Sequence, residues 1–297
     1  MTTPLPGGEP TTIAAKDGYL LGATRFAAKS PQRGRIVVAG ATGVPQEFYT
    51  RFALHAAAAG FEALTFDYRG VGRSKAESLA GFNASFVDWA RLDLAAIIDS
   101  VPEDGVPIFL VAHSFGGHAL GLIPNHGRIA GCWVCAVGAG WAGWMTPLER
   151  ARVLALWNVI LPPLVRWKGY MPWSSLGLGE DLPLEVYRQW RRWCRFPHYF
   201  LEDPTVPELK ESCATVRVPI LALNALDDAW APPRSRDAFL LNAYPHAPLQ
   251  RVDVDPKTLG SVGHVGYFRR HASPLWDGAF EWFASLDAKA AAGESIR

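Results

Sequence analysis

Val111-Ala112-His113-Ser114-Phe115-Gly116-Gly117 decides how the rest of the chain is read. It follows the apolar run Pro107-Ile108-Phe109-Leu110 and leads into His118-Ala119-Leu120-Gly121-Leu122. A buried strand thus runs into a sharp turn at a serine and then into a helix, the context a nucleophile elbow requires. To lift its hydroxyl clear of a sheet, such a serine takes a sparsely populated backbone conformation. The residues two before and two after it are then pressed onto neighbouring backbone. Here those residues are Ala112 and Gly116, so alanine stands where G-x-S-x-G has its first glycine.

Upstream, Arg35–Gly40 reads as a buried strand, followed by the small-residue turn Ala41-Thr42-Gly43 and a helix over 46–59 that Gly60 stops. Residues 62–68 read as the next strand and 88–101 as an amphipathic helix with Leu92, Ala96 and Ile97 inward. Nearer the N-terminus, 11–15 and 19–28 are edge strands joined at Lys16-Asp17-Gly18, an Asp-Gly hairpin signal. Downstream the spacing predicts strands over 129–137, 218–224 and 249–254 and a helix near 235–241. The final helix, over 274–286, packs Trp276, Phe280 and Phe283 on the sheet, and the tail from Ala288 to Arg297 is expected to fray. Strands alternating with helices of ten or more residues imply βαβ units and a mostly parallel sheet, with a site at the strands' carboxyl ends.

From Trp141 to Lys210 the pattern changes. The stretch holds seven tryptophans and many arginines and prolines, and no apolar strand run. It reads as a helical cap inserted between core strands, which divides the chain into a core of 1–140 and 211–297 and a cap of 141–210. Within it Val186, Trp190 and Trp193 share one helical face, and Arg188, Arg191, Arg192 and Arg195 lie mostly on the other. The plain reading is an amphipathic helix packing on the core. The sharper one has some of these tryptophans and arginines, Trp190 and Trp193 among them, line a pocket that favours an aromatic or carboxylate-bearing substrate.

Composition narrows the function classes. A net charge of +1 gives no electrostatic case for nucleic acid or an anionic membrane surface. Met1 to Gly8 has neither a basic nor an apolar region of a secretory signal, and no apolar run reaches the roughly 18 residues that span a bilayer. The expectation is a soluble, cytoplasmic protein. Cys132 and Cys135 form a C-x-x-C inside a strand, where residues three apart point to opposite faces, so they read as core packing.

Three further segments join the elbow: Phe66-Asp67-Tyr68-Arg69-Gly70-Val71-Gly72-Arg73-Ser74, then Asn224-Ala225-Leu226-Asp227-Asp228-Ala229-Trp230-Ala231-Pro232-Pro233, and Val262-Gly263-His264-Val265-Gly266-Tyr267-Phe268. Together they resemble the α/β-hydrolase superfamily from about Ile36 to Phe283. Within it the chain looks most like the bacterial branch often labelled serine aminopeptidase-like. The resemblance implies a mostly parallel central sheet flanked by helices, with a helical cap between core strands. It also implies the order serine, acid, histidine: Ser114 as nucleophile, His264 as base, and an aspartate of the pair Asp227-Asp228. Asp227, three residues after Asn224 and so near the strand end, is preferred, while Asp228 fits the spacing to Pro232 about equally. The oxyanion hole would be the N–H groups of Phe115 and of Ala41, with Thr42 as the alternative to Ala41. Asp67 and Arg69 read as scaffold of their turn, and His113 as packing beside the nucleophile.

The expected chemistry is hydrolysis of a carboxylic ester or thioester with a small or medium acyl group, through an acyl-enzyme. No metal or organic cofactor is implied, and a small molecule is the expected partner. Alternatives on the same residues are an aminopeptidase, whose substrate ammonium would need Glu180, Asp181 or Glu185, and a carbon–carbon bond hydrolase. A non-catalytic binding scaffold is the reading from another class. The tryptophan-rich cap also leaves a homodimer open.

Overall fold

A computed structural model describes residues 4–29 and 31–292, with side chains to residue 288. Its centre is strand β5 (Ile108–His113), buried at every residue, as a continuous apolar run with neighbours on both edges and helices on both faces must be. Around it lie β1 (Glu9–Ala14), β2 (Leu20–Phe26), β3 (Gly34–Ala39), β4 (Phe61–Phe66), β6 (Ile129–Cys135), β7 (Ile220–Ala225) and β8 (Leu249–Val254). The sheet order is β1-β2-β4-β3-β5-β6-β7-β8. The expected N-terminal hairpin pairs antiparallel, Glu9 opposite Arg25 and Ala14 opposite Leu20, and β2 joins β4 antiparallel. Every pairing from β4 across to β8 is parallel.

The main helices are α1 (Thr50–Ala58), α2 (residues 86–99), α3 (Phe115–Ala119), α4 (residues 147–168), α5 (Leu184–Trp193), α6 (Pro207–Ala214), α7 (Pro233–Ala243) and α8 (Ser273–Ala292). Two apolar clusters fill the two faces of the sheet, and Cys132 and Cys135 fall in different ones, as the alternation of a strand dictates. Trp276, Phe280 and Phe283 of α8 are buried against the sheet as expected. That helix continues to Ala292, past the start of the tail expected to fray, and residues 293–297 lie outside the described part of the chain.

Helix α2 departs from the simple amphipathic reading. Residues 89–94 form a wider i→i+5 stretch, which rotates the inward face. Leu92 ends up half-exposed while Asp93 is buried and pairs with Arg69 at 2.6 Å. A charged partner waiting inside the fold explains why the helix gives up regular geometry there.

Between β6 and β7 the chain is helical, with one isolated bridge from Met171 to Leu182. Helix α4 contains a second i→i+5 stretch, Leu156–Ile160, directly ahead of Pro162 and Pro163, which have no N–H to offer the preceding turn. A Glu180 N–H to Gly43 carbonyl bond of 2.9 Å ties this helical segment to the turn after β3.

Candidate active site

Ser114 sits between β5 and α3 with φ 52° and ψ −107°, a conformation that non-glycine residues rarely adopt. It persists because the surroundings over-determine it. The Ser114 N–H donates to the Cys135 carbonyl at 2.9 Å, and a Cβ on Gly116 would stand 2.2 Å from the Ala39 carbonyl oxygen. Glycine is therefore required at 116, while Ala112 fits as a buried strand residue.

The loop after β8 brings His264 to the serine. Its Nε2 lies 3.1 Å from Ser114 Oγ, and its Nδ1 lies 2.9 Å from Asp228 Oδ2. Asp228 is fully buried on the turn after β7, and its other oxygen accepts the N–H groups of Trp230 and Ala231, each at 2.9 Å. Burial pushes its carboxyl pKa up, but the His264 ring and these donors outweigh that and hold it below the ordinary carboxylate value. For His264 burial pulls the pKa down, and Asp228 reverses this to leave it above the ordinary value.

The preference for Asp227 is therefore corrected: Asp228 is the carboxylate at the histidine. Asp227 points along the loop, accepting Ser261 Oγ at 2.8 Å and the N–H groups of Val262 and Gly263 at 3.0 Å. It braces the segment that carries His264 and does not touch the ring.

A second correction concerns the turn after β3. The Ala41 N–H donates to the Tyr49 hydroxyl at 2.8 Å, so it is already engaged. Thr42, the alternative donor of that turn, lines both cavities beside Ser114. Phe115 opens α3, where a first-turn N–H has no partner inside its own helix.

Asp67 and Arg69 lie away from the cavity. Asp67 accepts the Gln46 N–H, the Gln46 side chain and the Arg73 N–H, and burial raises its pKa to about 6. Arg69 is gripped by Asp93 and Asp17. Both hold loops, in keeping with the scaffold reading.

Two connected cavities open at Ser114 and His264. The inner one is tight, with about 50 Å³ of free volume, and runs past Phe115 and His118 to Met145, Val153, Trp157 and Tyr199. The outer one holds about 210 Å³ among Val44, Trp173, Leu178 and Val265. Trp190 and Trp230 line both, and His264 is the one titratable wall they share. No aspartate, glutamate, lysine or arginine lines either cavity among the described residues. Of the two tryptophans singled out on α5, Trp190 is at the site, while Trp193 is buried behind it, stacked on Phe86 at 5.6 Å. Trp157 and Trp230 reach the cavities too. Nothing in their local sequence distinguishes them from the tryptophans that do not.

His113 does more than pack. Buried completely, it bonds the Tyr49 hydroxyl through Nδ1 at 2.9 Å and the His264 carbonyl through Nε2 at 2.8 Å.

The profile of the alpha/beta hydrolase family matches residues 36–285. The chain belongs to that family. Solved structures agree in fold across nearly the whole length. A soluble variant of monoglyceride lipase from Saccharomyces cerevisiae superposes with a TM-score of 0.66 at 15% identity, covering 96% of each chain. A thermophilic esterase from Thermogutta terrifontis gives a TM-score of 0.58 at 16% identity, covering 94% of this chain and 99% of its own. A Pyrococcus furiosus esterase gives 0.61 at 14%, covering 94% and 90%. A search of curated proteins gives no match. The chain is thus an α/β hydrolase with esterases and lipases among its structural neighbours, and no described helix is long and apolar enough to cross a membrane.

Proposed function

We propose that this α/β hydrolase is a cofactor-independent serine esterase that cleaves uncharged carboxylic esters, thioesters included, with a small or medium acyl group. The observation that carries the reading is the contact of His264 with Ser114 on one ring nitrogen and buried Asp228 on the other. A serine hydroxyl is a weak nucleophile at neutral pH, and this arrangement supplies both a base and the anion that fixes the base's tautomer. His264 takes the Ser114 proton as Oγ attacks the carbonyl carbon, the N–H groups of Phe115 and Thr42 hold the oxyanion, and His264 returns the proton to the leaving group. Water then repeats the sequence on the acyl-enzyme.

The walls choose the substrate. The inner cavity borders Phe115 and His118 on the nucleophile's own helix and takes the acyl chain. The outer one borders Val265 beside the base and takes the leaving group. An aminopeptidase needs a carboxylate for the substrate ammonium, and the three candidates are occupied elsewhere. Glu180 accepts the Gly72 N–H and pairs with Lys75, Asp181 accepts the Ser174 N–H, and Glu185 pairs with Arg188.

Fluorophosphonate labelling followed by intact mass and peptide mapping tests the proposal. One adduct on Ser114, lost in Ser114→Ala, is expected, together with faster turnover of neutral esters than of aminoacyl amides. A folded protein that takes up no label would sink it.

A further inference from the structure

Two buried side chains outside the proposed machinery join its two halves. The Ala41 N–H meets the Tyr49 hydroxyl at 2.8 Å, the hydroxyl meets His113 Nδ1 at 2.9 Å, and His113 Nε2 meets the His264 carbonyl oxygen at 2.8 Å. The direction of this chain is forced from its ends. A peptide N–H only donates, so the Tyr49 oxygen accepts from Ala41 and gives its single proton to Nδ1. A carbonyl only accepts, so the remaining proton of the imidazole sits on Nε2. A neutral ring satisfies both contacts at once, and burial keeps His113 neutral by lowering its pKa to about 3.

From these contacts we infer that Tyr49 and His113 are positioning residues, a relay that sets the oxyanion turn after β3 and the histidine loop after β8 relative to one another. This rests on the serine-hydrolase reading above. At one end, engaging the Ala41 N–H leaves Thr42 as the donor that the turn offers to substrate. At the other, the bond to the His264 backbone fixes the residue whose ring spans Asp228 and Ser114.

The relay is held firmly at its middle. Tyr49 and His113 are 1% and 0% exposed. Phe268 packs edge-on to the Tyr49 ring at 4.7 Å and lies 5.2 Å from His113. A Cβ at Gly40 would stand 3.0 Å from the Tyr49 ring, so glycine gives the ring its place under the turn. Gln46, at the start of the same helical turn as Tyr49, is tied to Asp67 through its backbone and its side chain. Both side chains are thus enclosed on the sides these contacts occupy.

The test measures kcat and KM on p-nitrophenyl acetate, with active sites counted by fluorophosphonate titration, in the wild type, Tyr49→Phe, His113→Phe and the double variant. Tyr49→Phe removes one oxygen and keeps the ring. Misplacing one oxyanion donor and the base is expected to lower kcat per titrated site about 10- to 100-fold, with KM within about twofold. The double variant should be no worse than the weaker single, because cutting one path twice costs once. His113→Gln, whose carboxamide presents both an acceptor and a donor, should recover part of the loss, and it reads the same effect if the phenylalanine variants do not fold. Values of kcat per titrated site within twofold of wild type in all variants, or losses that multiply in the double, would overturn the relay whatever happens to the melting temperature. A wild type that neither labels nor turns over would overturn the hydrolase reading with it. A labelled wild type with unaffected variants would overturn the relay alone.

Discussion

Asp228→Asn keeps the shape of the side chain but replaces one acceptor oxygen with a donor, which favours the wrong tautomer of His264. A loss in kcat of about 10⁴-fold is expected, with the protein still folded by circular dichroism. Asp227→Asn weakens three hydrogen bonds to the loop at 261–263 and leaves the ring's partner in place. Its cost should be far smaller, and equal losses in the two variants would contradict the assignment. The pH profile provides a separate check. His264 acts as a base only when neutral, so kcat/KM rises with pH through its pKa. Asp228 holds that pKa above the ordinary 6.5, so the acid limb should be centred above 6.5. In the residual activity of Asp228→Asn the carboxylate no longer offsets burial, and the limb should move to lower pH. Ser114, His264 and the aspartate pair were legible in the sequence because each follows a recognisable strand. The choice between the two aspartates was not. Adjacent residues on a turn point in different directions, and only the path of the turn decides which one faces the ring.

At the scale of the element, the elbow depends on a contact that one methyl group destroys. Gly116→Ala would place a Cβ 2.2 Å from a backbone oxygen of β3, and backbone cannot step aside as a side chain can. Loss of labelling at Ser114 and a marked fall in melting temperature are expected. Gly278→Ala is the contrasting case. It lies on the exposed face of helix α8, where an added Cβ meets nothing within 4 Å, so the variant should be more stable by about 0.5–1 kcal/mol in urea unfolding. If both substitutions were neutral, the close approach of β3 to α3 would be wrong. Strands and helices were largely legible because buried runs and amphipathic periods leave a plain record. The rotation of α2 was not. A helical period places Leu92 inward, and it is the Arg69 guanidinium, distant in sequence, that draws Asp93 in instead.

For the whole molecule, the site is finished by the helical segment between β6 and β7, and this is where the sequence said least. Seven tryptophans crowd residues 141–210, yet which of them meet substrate depends on how that segment seats on the sheet. Trp190 lines both cavities, as Trp230 does, and is held by edge contacts to Trp157 at 5.1 Å and Trp173 at 5.6 Å. With only about 50 Å³ free in the inner cavity, the wild type should prefer short acyl groups, its kcat/KM falling as p-nitrophenyl esters lengthen from acetyl to decanoyl. Trp190→Ala would merge the two spaces. Each methylene newly accommodated is worth up to about 0.8 kcal/mol, so over a few carbons the preference should move by at least about tenfold toward longer chains. Short esters should lose rate in the same variant, because a small acyl group is no longer held against Ser114. A chain-length profile that keeps its shape while its height falls would mean that Trp190 only supports the fold, and that the acyl chain lies along another wall.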